Sequence, residues 1–256
     1  MSGLQVRDLS VHFGGVYALK GVALNVPSGV CVGLTGPNGS GKSTLVNAVT
    51  GVVDARGDVR VDDRPLPLSR PGRAARLGLR RTYQTPRVHD ELTGLENACA
   101  GHHVMTGRMV TGALLSRFRS ARAERDRRRD AMAALGRVGG DSAAPVRGSA
   151  MPYGQRRLVE LARVLVGEPR VLLLDEPSAG LNDVETEALC RLIRELTDTG
   201  VAVLLIEHRI GLLNEVCDQL VVLEEGVTIH QGAPRDVWRH DRVRAAYIGD
   251  LSDAGA

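Results

Sequence analysis

The sequence predicts an α/β chain whose buried strands end in polar, chemically capable groups, and three observations lead there. First, residues 30–34, 171–174 and 201–206 are apolar runs of strand length without polar alternation. Strands covered on both faces of a parallel sheet read that way. Second, stretches with helical spacing stand beside them, including 43–50, the run carrying Leu158, Leu161, Ala162 and Leu165 on one face, and 185–196. Third, each run ends in polar groups: a glycine-rich loop, Asp175-Glu176, and Glu207-His208. Ligands bind open α/β sheets at that edge.

The glycine-rich loop is the strongest signal. Gly36, Pro37, Asn38, Gly39, Ser40, Gly41, Lys42, Ser43 and Thr44 fit G-x-x-x-x-G-K-[ST], a phosphate-binding P-loop. The glycines leave the backbone free to curl its N–H groups around an anion. Lys42 adds a point charge for the outer phosphates, and Ser43 a hydroxyl for Mg²⁺. A strand at 30–34 and a helix opening at Ser43 supply the required flanks, with the helix N-terminus aimed at the phosphates. Apart from Lys20, Lys42 is the chain's lone lysine among 33 basic residues. A coding bias toward arginine explains the rest, so the compact ammonium stands out where a phosphate site needs one.

Composition narrows the class. A length of 256 residues allows one large or two closely joined α/β lobes. A net charge of +3 gives no global field for nucleic acid or an acidic membrane. Cys31, Cys99, Cys190 and Cys217 lie far apart in sequence without metal spacing, which suits a reducing compartment. The opening residues lack the apolar core of a signal peptide. No apolar run approaches the roughly 20 residues that span a bilayer.

Residues 4–34 alternate like strands around Gly14-Gly15, Gly21 and Pro27-Ser28-Gly29, suggesting an antiparallel sheet edge feeding the P-loop strand. Phe13, in a chain with 3% aromatics, is either an adenine-stacking ring or plain core. Residues 59–62 read as a strand, followed by a surface loop to Arg73. Residues 94–135 read as mostly helical. Seven arginines and three acids between Arg117 and Asp130 suggest a solvated helix face, and His102-His103 an exposed pair. Residues 139–150 form a loop, with Pro152 at the first position of the next helix. A hairpin at 220–223 and 227–230 and a helical tail at 236–248 complete the chain.

Together the polar strand ends suit a nucleotide. Asp175 can hold Mg²⁺ through its water shell. Glu176 can orient or deprotonate a water, and His208 can bond a γ-phosphate. The ordered set of P-loop, Gln84, Met151-Pro152-Tyr153-Gly154-Gln155, Leu174-Asp175-Glu176-Pro177, 179–182 and Glu207-His208 resembles the ATP-binding subunit of an ABC transporter, from Val6 to Gly249. Thr82-Tyr83-Gln84-Thr85-Pro86, Glu91-Leu92-Thr93-Gly94-Leu95-Glu96-Asn97, Tyr153-Gly154-Gln155 and Ala245-Ala246-Tyr247-Ile248-Gly249 resemble its branched-chain amino acid importer subfamily.

That resemblance implies a P-loop NTPase (RecA-like) core with an antiparallel β subdomain, 1–85 and 160–256, and an inserted α-helical subdomain, 86–159. It implies ATP and Mg²⁺, the ion held by Ser43, Gln84 and Asp175, with Glu176, His208 and Gln84 at the reacting phosphate. Phe13 would stack on adenine. Pro152, Tyr153, Gly154 and Gln155 would meet the ATP of a second ATP-binding subunit (this chain or a paralogue), and Asn182 would approach the opposite site. Transmembrane permease subunits and, indirectly, a solute-binding protein follow as partners, placing the chain peripherally on the cytoplasmic face of the membrane. Pro152 and Tyr153 depart from the usual Leu-Ser-Gly-Gly-Gln signature. Two rival readings exist: a soluble ABC-type ATPase acting on nucleic acid, and an ATP-binding regulator. A single cassette without a long coiled-coil insertion argues against the first, and Glu176 with His208 against the second.

Overall fold

The computed structural model describes residues 3–70, 72–104 and 116–253, with main chain alone at 103–104, 116–121 and 248–253. Strands β1 (Gly3–Phe13) and β2 (Val16–Pro27) precede β3 (Cys31–Thr35) and helix α1 (Lys42–Val49). Then come β4 (Arg56–Val61), β5 (Arg64–Pro65), α2 (Arg73–Arg76) and β6 (Leu79–Arg81). Helices α3 (Gly94–Cys99), α4 (Ser116–Arg137) and α5 (Tyr153–Val166) follow. Next are β7 (Val171–Asp175), α6 (Asp183–Asp198), β8 (Ala202–Ile206) and α7 (Ile210–Val216). The hairpin β9 (Gln219–Glu224) and β10 (Val227–Gly232) leads to α8 (Pro234–Val237) and α9 (Asp241–Asp253).

The chain divides into two compact units. The first, Met1–Arg81, Arg170–Pro177 and Ile193–Ala256, carries both sheets. One is antiparallel, in the order β2-β1-β4-β5. The other runs β10-β9-β3-β8-β7-β6, parallel throughout except for β10 at its edge. Strands β1 and β2 pair antiparallel, as their alternation suggested, in a sheet separate from that of β3. The turn at Pro27-Ser28-Gly29, closed by Val30 N–H to the Pro27 carbonyl, turns the chain out of one sheet and into the other. Leu4, Val6, Leu9 and Val11 of β1, whose alternation slips by one residue at the irregularity between Val6 and Leu9, are buried and join Leu45, Val46, Ala48 and Val49 of α1 in one apolar cluster. Strands β3, β7 and β8 are buried at every position, which accounts for their unbroken apolar runs.

Cys31 and Cys217, distant in sequence, place their sulfurs 3.8 Å apart in this interior. The contact with Cys31 and burial both push the Cys217 thiol far up. Such thiols are inert packing groups.

The second unit, Thr82–Pro169 and Ser178–Leu192, is helical. The reading of 94–135 as mostly helix meets α3, a 3₁₀ stretch at Ala100–Val104 and α4; residues 105–115 lie outside the described residues. Thr93 and Glu96 cap α3 reciprocally. Asn97 is fully buried, accepting from the His89 N–H and donating to the His89, Leu92 and Thr93 carbonyls, so the preceding loop is tied to the helix. His102 is not an exposed residue: its ring is largely covered, with Nε2 3.9 Å from Asp130. Pro152 is the N-cap of α5 rather than its first helical residue. Its ψ of 157° is extended, and its carbonyl accepts the Arg156 N–H. The tail expected to be helical forms α8 and α9.

Candidate functional site

The first unit builds its site at the ends of three adjacent strands. Register pairs Leu34 of β3 with Ile206 of β8, and Ile206 with Asp175 of β7. Those three residues form one row across strands spaced about 4.8 Å apart. Three segments leave the sheet from this row at the same edge: the P-loop after β3, Glu207-His208 after β8, and Glu176 after β7. Two main-chain bonds hold the edge level, Glu176 N–H to the Ile206 carbonyl at 3.0 Å and Glu207 N–H to the Leu34 carbonyl at 3.4 Å.

The P-loop starts at Gly36, whose φ of 143° and 2.0 Å approach of a would-be Cβ to the Leu223 carbonyl exclude any side chain. Gly41 is confined likewise, a Cβ there meeting Leu19 at 2.7 Å. Gly226, a position without any motif of its own in the sequence, ties the loop down by donating to Ser40 and accepting from the Lys20 N–H. The Lys42 ammonium donates to the Gly36 and Pro37 carbonyls at 2.7 and 2.8 Å, bracing the loop from within. Helix α1 begins at Gly41 with no side-chain cap and no acid in its first turn. Its positive end is left uncompensated by side chains, and an anion suits it. Ser43 is exposed there.

Asp175 is buried, and the cation that two adjacent acids at a buried strand end require is present as Arg81 of β6. Its guanidinium lies 3.7 Å from Asp175 Oδ2 and also donates to Asn47 Oδ1 on α1 and to Thr50 Oγ1 at the C-cap of that helix. Arg81 was not among the residues expected at the site, although two arginines closing a short strand were a visible signal. Glu176 adopts φ 46°, a left-handed turn that costs a non-glycine residue about 1–2 kcal/mol. That turn takes the chain off the sheet immediately after Asp175 and leaves Glu176 half-buried. Strain of this kind concentrates at functional positions. Glu207 counted in the sequence only as a neighbour of His208. It is buried, and its Oε2 accepts the N–H groups of His208 and Arg209 at 3.0 and 3.3 Å. It thereby fixes the turn that presents His208, whose side chain is 66% exposed. Phe13 is 52% exposed at the β1–β2 turn, which removes its reading as core.

Gln84, Pro152, Tyr153, Gly154, Gln155 and Asn182 all belong to the second unit. Gln84 and Pro152 are exposed. Gln155 Oε1 is buried and has no hydrogen-bond partner. Asn182 exchanges bonds of 2.9 Å with Glu185 in both directions, capping α6. Arg157 and Glu160 of α5 are fully buried beside this segment. Burial pushes the Glu160 carboxyl up, opposed by the Arg87 N–H and the Arg163 and Arg157 guanidiniums, and it pulls the Arg163 guanidinium down.

Residues 19–179 match the family described as ABC transporter. The chain belongs to the ABC transporter family. Among curated proteins, the high-affinity branched-chain amino acid transport ATP-binding protein BraF of Pseudomonas aeruginosa is 35% identical over 249 residues, covering 96% of this chain and 98% of the relative. LivG of Escherichia coli, of the same description, is 34% identical with the same coverage. Among solved structures, a nucleotide-free ATP-binding cassette from an ABC transporter superposes with a TM-score of 0.83 at 29% identity, covering 96% of this chain and 99% of that one. An ADP-bound transporter cassette gives 0.80 at 28% identity, covering 97% and 99%.

Within the ABC transporter family, the oxygen donors present here suit the metal a nucleotide brings. The Ser43 hydroxyl and the Asp175 carboxylate are hard ligands of the kind Mg²⁺ takes. Among the described residues no three His, Cys, Asp or Glu side chains group as a metal cage. An ion that arrives with phosphate and water ligands matches that donor set.

Proposed function

We propose that this chain is the ATP-hydrolysing subunit of an ABC importer, carrying out ATP + H₂O → ADP + phosphate. The observation that carries the reading is the shared row of Leu34, Ile206 and Asp175, which brings P-loop, His208 and the two carboxylates to one sheet edge. The P-loop amides and Lys42 bind the β- and γ-phosphates, and Phe13 stacks on adenine. Ser43, Asp175 and, by resemblance, Gln84 would hold Mg²⁺, which when bound would neutralise phosphate charge. Glu176 takes a proton from the attacking water, and His208 donates to the γ-phosphate.

The second ATP-binding subunit, itself or a paralogue, would present Pro152, Tyr153, Gly154 and Gln155 to that nucleotide. Asn182 would lie near the opposite site. Pro152 offers neither hydroxyl nor N–H, so roughly 1 kcal/mol of one neutral bond is forgone. The α5 helix terminus and the N–H groups of Tyr153 and Gly154 remain. The RecA-like core and the helical subdomain would work as separate parts, the latter engaging transmembrane permease subunits fed by a solute-binding protein. No helix among the described residues is long and apolar enough to cross a membrane. Association with the cytoplasmic face would therefore run through those partners. The names of BraF and LivG make branched-chain amino acids the leading solute.

Glu176→Gln tests the chemistry: ATP binding is retained while turnover falls roughly 10²–10⁴-fold, the range for a positioned base. Near-normal turnover would remove Glu176 from that role. Lys42→Ala tests the P-loop, and unchanged ATP affinity would refute it.

A further inference from the structure

The fully buried Arg157 and Glu160 are unused by the chemistry above, and their partners are specific. Arg157 sends one arm of its guanidinium to the Tyr83 carbonyl and the other to the Gln84 carbonyl. The second arm also donates to the Tyr153 hydroxyl at 3.1 Å, and that hydroxyl itself donates to the Gln84 carbonyl at 3.1 Å. Glu160 accepts from below, taking the Arg87 N–H at 3.0 Å and the Tyr83 N–H at 3.4 Å. Each peptide group of 83–84, and the amide of 87, is thus gripped by one face of α5. Tyr153 reaches a second loop as well. A Cβ on Gly180 would lie 2.5 Å from the Tyr153 ring, so the ring rests on bare backbone whose φ of 75° already favours glycine.

We propose that Tyr153, Arg157 and Glu160 form a latch that sets the position of Gln84, so that the start of α5 and the Gln84 loop move as one piece. Burying an ion pair gains little stability over apolar packing. A guanidinium fork, however, fixes two carbonyls in one rigid planar geometry, which the flexible ammonium of a lysine does not impose. Tyrosine in place of a signature glycine then has a purpose that a glycine could not serve: its hydroxyl joins the first residue of α5 to the Gln84 peptide. A change at one segment is carried to the other without a side chain of Gln84 being touched. The proposal rests on the reading of Gln84 as a residue near the reacting phosphate, in which these three are positioning residues.

The test uses the full-length chain with Tyr153→Phe, which keeps the ring over Gly180, and Arg157→Lys, which keeps the charge beside Glu160. Amide hydrogen exchange without nucleotide should rise about three- to tenfold across residues 82–88, the loss of one or two neutral-strength bonds. Exchange in β3, β7 and β8 should be unchanged. Steady-state hydrolysis should show kcat lowered about three- to tenfold with KM for MgATP within about twofold. A stability defect alone would move exchange everywhere and split neither constant. Unchanged exchange at 82–88 in both variants would overturn the latch, as would loosened exchange with wild-type kcat. Failure of the underlying ATPase reading shows separately, as unaltered ATP binding in Lys42→Ala.

Discussion

In the first unit the candidate site residues stand at strand ends, partly or largely open to solvent. Glu176 is half-buried, Ser43 exposed, and the His208 side chain 66% exposed, while the backbone around them is fixed by strand register and by Gly36, Gly41 and Gly226. In the second unit the arrangement is inverted: Arg157 and Glu160 have no exposed surface, and what they fix is the backbone of Tyr83, Gln84 and Arg87. Where main-chain ladders define geometry, side chains can be reserved for a ligand. Where a loop has no ladder, side chains must supply its hydrogen bonds from inside, and their charges have to be desolvated with a nearly complete set of partners.

Substitutions can break this contrast, beginning with the largest effect. Glu176→Gln should act on turnover by roughly 10²–10⁴-fold with little change in thermal stability, because no ladder depends on that side chain. Calorimetry beside an ATPase assay would show both. Glu160→Ala should do the reverse. It strands Arg157 without its buried counter-charge, at about 3–5 kcal/mol, read as a lower unfolding midpoint in urea. A midpoint shift near zero would mean that the pair is dispensable and the contrast false.

Arg81→Gln sits between the two cases, since Arg81 is itself nearly buried yet serves a strand-end carboxylate. Loss of its bonds to Asn47 and Thr50 and of its pairing with Asp175 should cost about 1–3 kcal/mol. It should also alter the Mg²⁺ concentration needed for half-maximal nucleotide binding, measured by titration. An unaltered Mg²⁺ requirement would leave Arg81 as a packing residue alone.

Thr93→Ala should be mildest, about 1 kcal/mol from the lost cap of α3. It carries a pH signature. Hydrogen bonds from Thr93 hold the Glu96 carboxyl below its usual value. With a depressed folded pKa, that contribution is present above the unfolded value near 4.3 and is lost as pH falls through the folded one. The gap between Thr93→Ala and the parent chain should therefore narrow in acid unfolding curves. A constant gap would show that the bond from the Thr93 hydroxyl to the Glu96 carboxylate contributes nothing, because the N–H of residue 93 donates to that carboxylate in both chains.

Several elements were legible because local signals and global placement agree. The covered strands β3, β7 and β8 announce themselves by unbroken apolar runs, and the P-loop by glycine spacing. Other elements were not. Helix α5 reads as a simple apolar stripe of Leu158, Leu161, Ala162 and Leu165, yet its most buried large side chain is Arg157. A charged residue is classed as solvent-facing by composition, and only its partners Tyr83 and Gln84, some 70 positions away, reveal otherwise. Propensity puts Pro152 one step too far into its helix, because it favours the first turn while the cap geometry is set by the chain entering it.

By itself the sequence determined the fold class, the phosphate loop, the paired carboxylates and the family likeness, since each is written in contiguous residues with fixed spacing. The tertiary structure alone decided which strands are neighbours, and so that Asp175, Ile206 and Leu34 share a row. It alone supplied Arg81 to Asp175, Gly226 to the P-loop and Arg157 to Gln84. The physical reason is the same each time. A hydrogen bond or ion pair between residues far apart in the chain depends on which segments the core brings together, and no local pattern records that choice.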